Sequence, residues 1–228
     1  MERRFDLVIF DCDGVLIDSE AISARMLIAE LAARGVEVDL PYVAHNFLGR
    51  SYPVVLAQIR RDFGISLPPD FEASYRERLL AVFDRELRIM PGVREVLGAL
   101  RVPYCLATSS SPGRVARSLE IVGLVQAFAG RVTTASEVAQ GKPAPDLFLL
   151  AGQRMGCPPS RTLVIEDSLN GIQSGLAAGM TVWRFIGGSH LGPGTPLEPP
   201  SARPDGRFAS FDELPALLPE LIGREPVT

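Results

Sequence analysis

The sequence predicts an α/β fold: a doubly wound, Rossmann-like parallel sheet that carries one all-helical insertion. Three observations predict it. Short, almost wholly apolar runs recur at DLVIF (6–10), PYCLAT (103–108), RTLVIE (161–166) and TVWRF (181–185), the pattern of strands buried on both faces. Helix-length segments with start signals stand between the later runs, SPGRVARSLEIVG opening on Ser111-Pro112 and PDLFLLAGQRMG on Pro145-Asp146; a first helical turn accepts proline. From about Leu16 to Ile89, however, only helical patterns are found.

Taken in order, the first apolar run ends in DCDGV, and the chain then passes through EAISARMLIAELAARG, SYPVVLAQIRRDFG and DFEASYRERLLAVFDREL, whose apolar residues return at three and four. The β/α alternation resumes at MPGVREVLGAL, where Pro91 and Gly92 break the helical run. The division is therefore a discontinuous α/β core, 1–16 and 90–228, and a helical unit over 17–89. Glycines 171, 175 and 179 have a spacing similar to a nucleotide-binding turn, but close packing of helix on sheet is the better reading. Residues 187–206 are too rich in Gly and Pro for regular structure, and a final helix is expected over 211–223.

A chain of 228 residues, 46% hydrophobic and 22% charged, can bury a large core, and a net charge of −4 gives no basic field for nucleic acid. Cys12, Cys105 and Cys157 are odd in number and far apart, against a disulfide framework or a zinc site. With no signal-peptide core and no apolar run long enough to span a membrane, the expectation is a cytoplasmic protein, a monomer or small homo-oligomer, without membrane or nucleic-acid partners.

Ligands of open parallel sheets bind beyond the carboxyl ends of the strands, and the polar residues that follow the apolar runs are chemically related. They are Asp11 and Asp13 in DCDGV, Thr108 to Ser111 in TSSS, and Glu166 and Asp167 in EDS; Lys142, in GKPAPD, is the only lysine in the chain. Each alone has an ordinary explanation as a turn or helix cap. Gathered in one cleft, the carboxylates would repel each other, so a cation is implied. Oxygen donors without Cys or His suit a hard ion, and few carboxylates suit Mg2+ better than Ca2+. Neither His45 nor His190 has a partner at metal-ligand spacing. Such a set can cradle a phosphoryl group, with one aspartate attacking phosphorus and the second, two residues on, moving the proton. That proton requires a raised pKa at Asp13, expected from the charge of Asp11 or of the phosphoryl group.

DCDGV, TSSS, Lys142 in GKPAPD and the acidic pair of IEDSLNG resemble, in order and spacing, the four motifs of the haloacid dehalogenase superfamily, and the helical insertion resembles its helical cap in the phosphoglycolate phosphatase and beta-phosphoglucomutase branch. The resemblance implies Asp11 as nucleophile and Asp13 as general acid/base, both also magnesium ligands, Asp13 through its carbonyl. It implies Thr108 as phosphoryl-binding group, Lys142 as the charge that stabilises nucleophile and transferred group, Asp167 as the carboxylate nearest Mg2+, and Glu166 acting through water. Ser109 and Ser110 either add hydrogen bonds to phosphate or cap the helix at Pro112. In the cap, Gly49 allows close approach, Arg50 could pair with a substrate carboxylate or second phosphate, and Glu20 either meets substrate or complements the helix dipole.

Within that superfamily the aspartate at position 13 argues against carbon–halogen cleavage, and a cap without lysine argues against Schiff-base phosphonatase chemistry. Beta-phosphoglucomutases share the core motifs, but their cap histidine appears here as Ser23 and their cap lysine is missing. The expectation is a Mg2+-dependent phosphatase for a small phosphate ester, a sugar phosphate or phosphorylated sugar acid such as 6-phosphogluconate, working through an aspartyl-phosphate. The alternatives are phosphoryl transfer of the mutase kind and a phosphoacceptor receiver module; receivers place the acidic pair on the first strand and have no cap.

Overall fold

The structure, a computed structural model, describes residues 4–47, 49–65, 67–191 and 198–222, the side chains of residues 44 and 45 excepted. Six parallel strands form one sheet in the order β3-β2-β1-β4-β5-β6. They are β1 (Leu7–Phe10), β2 (Tyr104–Thr108), β3 (Val132–Thr134), β4 (Thr162–Glu166), β5 (Thr181–Phe185) and β6 (Gly206–Phe208). The four apolar runs are the four central strands. The edge strands β3 and β6 have three residues each and lack a run of apolar side chains, so periodicity does not reveal them.

Every residue of β1 and β4 is buried, and alternate side chains serve opposite faces. Val8, Phe10, Leu163 and Ile165 pack with α5 (Val93–Ala99) and α6 (Pro112–Ile121) in the larger core. Leu7, Ile9 and Val164 face Leu147, Phe148 and Ile172 of α7 (Asp146–Arg154) and α8 (Leu169–Ala177). At roughly 1.5–3 kcal/mol for each fully buried large aliphatic or aromatic side chain, these two faces hold the sheet rigid beneath its carboxyl edge. Gly175 illustrates the close packing of helix on strand: a Cβ there would lie 2.6 Å from Val182 Cγ2.

Between β1 and α5 the chain forms α1 (Glu20–Ala32), α2 (Leu40–Asn46), α3 (Tyr52–Phe63) and α4 (Phe71–Glu86), without a strand among the described residues. Asp39 caps α2 by accepting from the Tyr42 amide at 2.8 Å, and Gly64, at φ 65°, ends α3. The two crossings of the chain run side by side, with Asp18 N bonded to Arg88 O and Met90 N to Leu16 O, both at 2.9 Å. His45 falls in α2, and its side chain lies outside the described residues.

Two expectations for the C-terminal part need correction. The Gly/Pro-rich stretch, of which 192–197 lie outside the described residues, contains a 3-10 turn at Pro200–Ala202 and leads directly into β6. The helix expected over 211–223 is a 3-10 turn, Phe211–Glu213, followed by the four-residue α9 (Leu214–Leu217). Pro219 explains the short helix: it lacks an amide hydrogen and disfavours helical backbone at Leu218, which stands at φ −133°, ψ 60°.

Candidate active site

β1 lies between β2 and β4, the point where the order of the strands reverses and where such sheets open a crevice at their carboxyl edge. Phe10 is level with Leu106 on one side and Ile165 on the other. Asp11, just beyond β1, is therefore level with Ala107 of β2 and with Glu166, the last residue of β4, and Thr108 ends β2 one residue further on. Lys142 enters from the loop before α7. Its Nζ donates to Asp11 Oδ1 at 2.5 Å and to Glu166 Oε1 at 2.7 Å, with all three side chains buried. Burial works against the Lys142 charge, yet the two carboxylates push its pKa above the ordinary lysine range. Glu166 is held from behind by the Ser168 amide at 2.6 Å, and Ser168 caps α8 through the Gly171 amide at 3.1 Å.

Asp167 completes the acidic group. Asp11, Glu166 and Asp167 can each place a carboxylate oxygen within 4.8 Å of the others. Burial, followed by opposition from Lys142 and repulsion from Glu166, Asp167 and Asp13, leaves Asp11 with a pKa far above the usual carboxylate range. Asp167 is raised for the same leading reason, burial, then by Glu166. Three buried carboxylates around a single lysine, with oxygen as the donor type, fit a divalent cation, because such a charge would relieve both strains.

Asp13 differs from expectation. Its pKa is lowered: burial, the largest influence, raises it, but the Arg114 guanidinium and hydrogen bonds from Ser110 and Ser19 outweigh burial. Ser19 Oγ donates to Oδ1 at 2.5 Å, Arg114 Nη2 to Oδ1 at 2.7 Å and Ser110 Oγ to Oδ2 at 2.6 Å. Sequence reasoning passed over Arg114, although a signal existed. Arg114 is the third residue of α6, where a cation opposes the helix dipole and needs a compensating anion.

The serines of TSSS separate into distinct contacts. Ser111 occupies the N-cap position of α6, Ser110 binds Asp13, and Ser109 Oγ donates to the Gly49 carbonyl at 3.0 Å. Thr108 Oγ1 accepts from the Ser110 amide at 3.0 Å. Asp11, Asp13, Thr108, Ser109 and Ser110 line one end of a cavity of about 330 Å3, and α1 to α4 wall the other end with Leu27, Val43, Val55 and Tyr75 among others. Gly49 is close to the core at Ser168 as well as Ser109, and an added Cβ would overlap the Ser168 side chain. Arg50 lines the cavity, with Nη1 bonded to Gln58 Oε1 at 3.1 Å. Glu20, buried at the start of α1, also lines it; burial, then Asp13 and Asp167, raise its pKa to about 8.

His190 is the second residue that spacing did not reveal. Its Nε2 lies 2.8 Å from Asp167 Oδ2, and burial pushes its pKa down. It stands five residues beyond β5, so the same rule that selected the other strand ends applies to it.

A buried carboxylate paired with a lysine, a second aspartate two residues on and an acidic pair at a neighbouring strand end stand together at one sheet edge, in the order of the motifs that the sequence resembles. The haloacid dehalogenase-like hydrolase family model matches residues 5–179, and the chain belongs to that family. It is 28% identical to the 6-phosphogluconate phosphatase of Escherichia coli over 191 residues, 83% of this chain and 86% of that protein. A haloacid dehalogenase-like protein of unknown function from Agrobacterium tumefaciens shares its fold with a TM-score of 0.79 at 32% identity, over 95% of this chain and 98% of the other. A family hydrolase from Deinococcus radiodurans, solved with bound phosphate and sodium, is 35% identical with a TM-score of 0.72, over 98% of this chain and all of its own. The enzyme is thus a phosphoric monoester hydrolase by its relatives.

Proposed function

We propose that the protein is a Mg2+-dependent phosphatase that hydrolyses a small sugar phosphate or phosphorylated sugar acid through an aspartyl-phosphate at Asp11. The observation that carries this reading is Lys142 Nζ between Asp11 Oδ1 and Glu166 Oε1, at the end of a cavity that also holds Asp13 and Thr108. Asp11 and Asp167, with the Asp13 carbonyl, would hold the magnesium ion, and Glu166 would act on it through water. Bound there, the ion supplies positive charge that lets a carboxylate and a phosphoryl dianion approach.

In the first half-reaction an Asp11 oxygen forms a bond to phosphorus as the ester P–O bond breaks, and Asp13 gives a proton to the leaving alkoxide. In the second, Asp13 takes a proton from water, whose oxygen attacks phosphorus and restores the Asp11 carboxylate as the P–O bond to it breaks. With three donors on it, Asp13 is arranged for that second half. The entering phosphoryl dianion opposes Arg114 and favours the proton needed for the first. Lys142 stays charged and neutralises Asp11 and the transferred group in turn, and Thr108, with Ser109 and Ser110, binds phosphoryl oxygens.

The helical unit 17–89 acts as a cap over this site. A cavity of about 330 Å3 suits a small ligand, and Arg50 would meet a substrate carboxylate. The similarity to a 6-phosphogluconate phosphatase supports a phosphorylated sugar acid. Ser23 donates to the Ser19 carbonyl at 2.9 Å and accepts from Arg114 at 3.2 Å, so the position of the mutase histidine is occupied by a hydroxyl already engaged. This favours transfer to water. Three free cysteines fit a cytoplasmic setting. The test is phosphate release from a panel of phosphate monoesters with and without Mg2+, with Asp11→Asn as the blank. Turnover that persists in Asp11→Asn, or that ignores the metal, refutes the reading.

A further inference from the structure

We infer that His190 is a positioning residue for Asp167, fixing which of its carboxylate oxygens is turned to the divalent cation; the inference rests on the function proposed above. Asp167 has two fixed points. Its backbone carbonyl accepts from Arg184 Nε at 2.9 Å, which leaves rotation of the side chain as its remaining freedom. His190 Nε2, 2.8 Å from Oδ2, removes that freedom. With a cation held beside it, Asp167 is an ionised carboxylate that offers only acceptors, so in that state Nε2 carries the hydrogen and donates it. With Oδ2 engaged by the imidazole, Oδ1 is the oxygen left to the cation site beside Asp11 and Glu166.

The surroundings are built for this imidazole. His190 is 1% exposed in its side chain and Asp167 3%. Two glycines form the slot: a Cβ on Gly188 would lie 2.5 Å from His190 Cε1 and 2.7 Å from Nδ1, and one on Gly14 would lie 2.9 Å from Cε1. Gly14 also stands at φ 79°, a conformation other residues adopt at a cost. The loop that carries His190 is tied down one residue earlier, where Asp18 Oδ1 accepts from the Ser189 amide at 3.1 Å and from its hydroxyl at 2.8 Å. Nδ1 is buried without a partner. An apolar side chain of the same size would fill the slot without leaving a polar atom unpaired, so packing alone does not account for a histidine here. Donation from an imidazole to a metal-binding carboxylate has a known consequence: such outer partners are worth about 10–100-fold in metal affinity.

The experiment is calorimetric titration of the metal-free protein with MgCl2, comparing wild type with His190→Gln, whose amide hydrogen can reach the same oxygen, and His190→Leu, which fills the slot without a donor. We expect the Leu variant to bind Mg2+ about 10–100-fold more weakly, and the Gln variant to recover most of the loss. Circular dichroism melting establishes that each variant is folded, and His190→Ala replaces the Leu variant if that one is not. A folded variant without a donor that binds Mg2+ as wild type does, or a Gln variant as weak as the Leu one, overturns the inference while leaving the proposed function intact. A wild-type protein that takes up no Mg2+ overturns the proposed function, and the inference with it.

Discussion

The two ends of the cavity are built differently. At the strand ends the side chains of Lys142, Asp11 and Glu166 are no more than 7% exposed, and Lys142 reaches partners 131 and 24 residues away in the chain. On the helical side, Arg76 and Glu72 are 37% and 35% exposed and pair with each other at i,i+4, while Arg50 bonds to Gln58, eight residues on. Contacts of the first kind exist only when the whole sheet is assembled, so their geometry is as rigid as the core. Contacts of the second kind are local and do not depend on the assembled sheet. Under the function proposed above, chemistry common to many substrates would fall to the rigid end, and choice among substrates to the adaptable one.

The most direct way to break this comparison is at Lys142. A compact ammonium contacts two carboxylates in a space that a planar guanidinium does not fit, so Lys142→Arg should lower kcat on the order of 10²-fold or more. Lys142→Met leaves buried carboxylates unpaired and should cost about 3–5 kcal/mol in stability, read by urea denaturation of the metal-free protein. A Lys142→Arg enzyme with near wild-type kcat would show that the rigid end tolerates change after all.

A smaller effect is expected at Gly171, which lets α8 lie against Glu166. A Cβ there would overlap the Glu166 carboxylate, which is tied to both Lys142 and Ser168 and so cannot yield without loss. Gly171→Ala should destabilise by about 1–3 kcal/mol, seen as a lower melting temperature. Gly98→Ala, in α5, meets nothing within 4 Å and should instead be neutral or stabilising by about 0.5–1 kcal/mol.

The rigid end was also the part most legible in the sequence. Asp11, Thr108, Glu166 and Asp167 stand at or just beyond the ends of apolar runs, so the strands locate them, and Lys142 is the chain's solitary lysine. Arg114 and His190 were harder to find, because each reaches the site from beyond the strand ends, one from a helix and one from a glycine-rich loop. The direction of the Asp13 pKa is hidden from the sequence for the same reason. Its acidic neighbours are evident in the sequence, whereas its three donors come together only in three dimensions. Edge strands of three residues carry too little pattern to read.

The adaptable end is sharpened by Arg50→Ala. If Arg50 turns from Gln58 to a substrate carboxylate, its removal should raise KM about tenfold for a phosphorylated sugar acid, the scale of one charge-assisted hydrogen bond. Values of kcat, and KM for an aryl phosphate that carries no carboxylate, should stay within about threefold. Equal losses on both substrates would place Arg50 in the structure of the cap and not in recognition.

The smallest effect concerns Glu20, which stands where the two ends meet. Burial, Asp13 and Asp167 raise its pKa from 4.5 to about 8. A carboxyl whose folded value exceeds its unfolded one binds more protons in the folded state, so its contribution to stability is fully present below 4.5 and is lost as pH rises through about 8. The melting temperature of the metal-free protein should therefore decline more steeply over that window in wild type than in Glu20→Gln. Glu20→Gln removes this titration, so the difference between the two profiles reads the Glu20 carboxyl together with its repulsion from Asp13 and Asp167. Parallel profiles would mean that Glu20 is ionised at neutral pH. A sloping difference would mean that it enters the cavity as a neutral acid, able to donate a hydrogen bond to a sugar hydroxyl where an ionised carboxylate could only accept one.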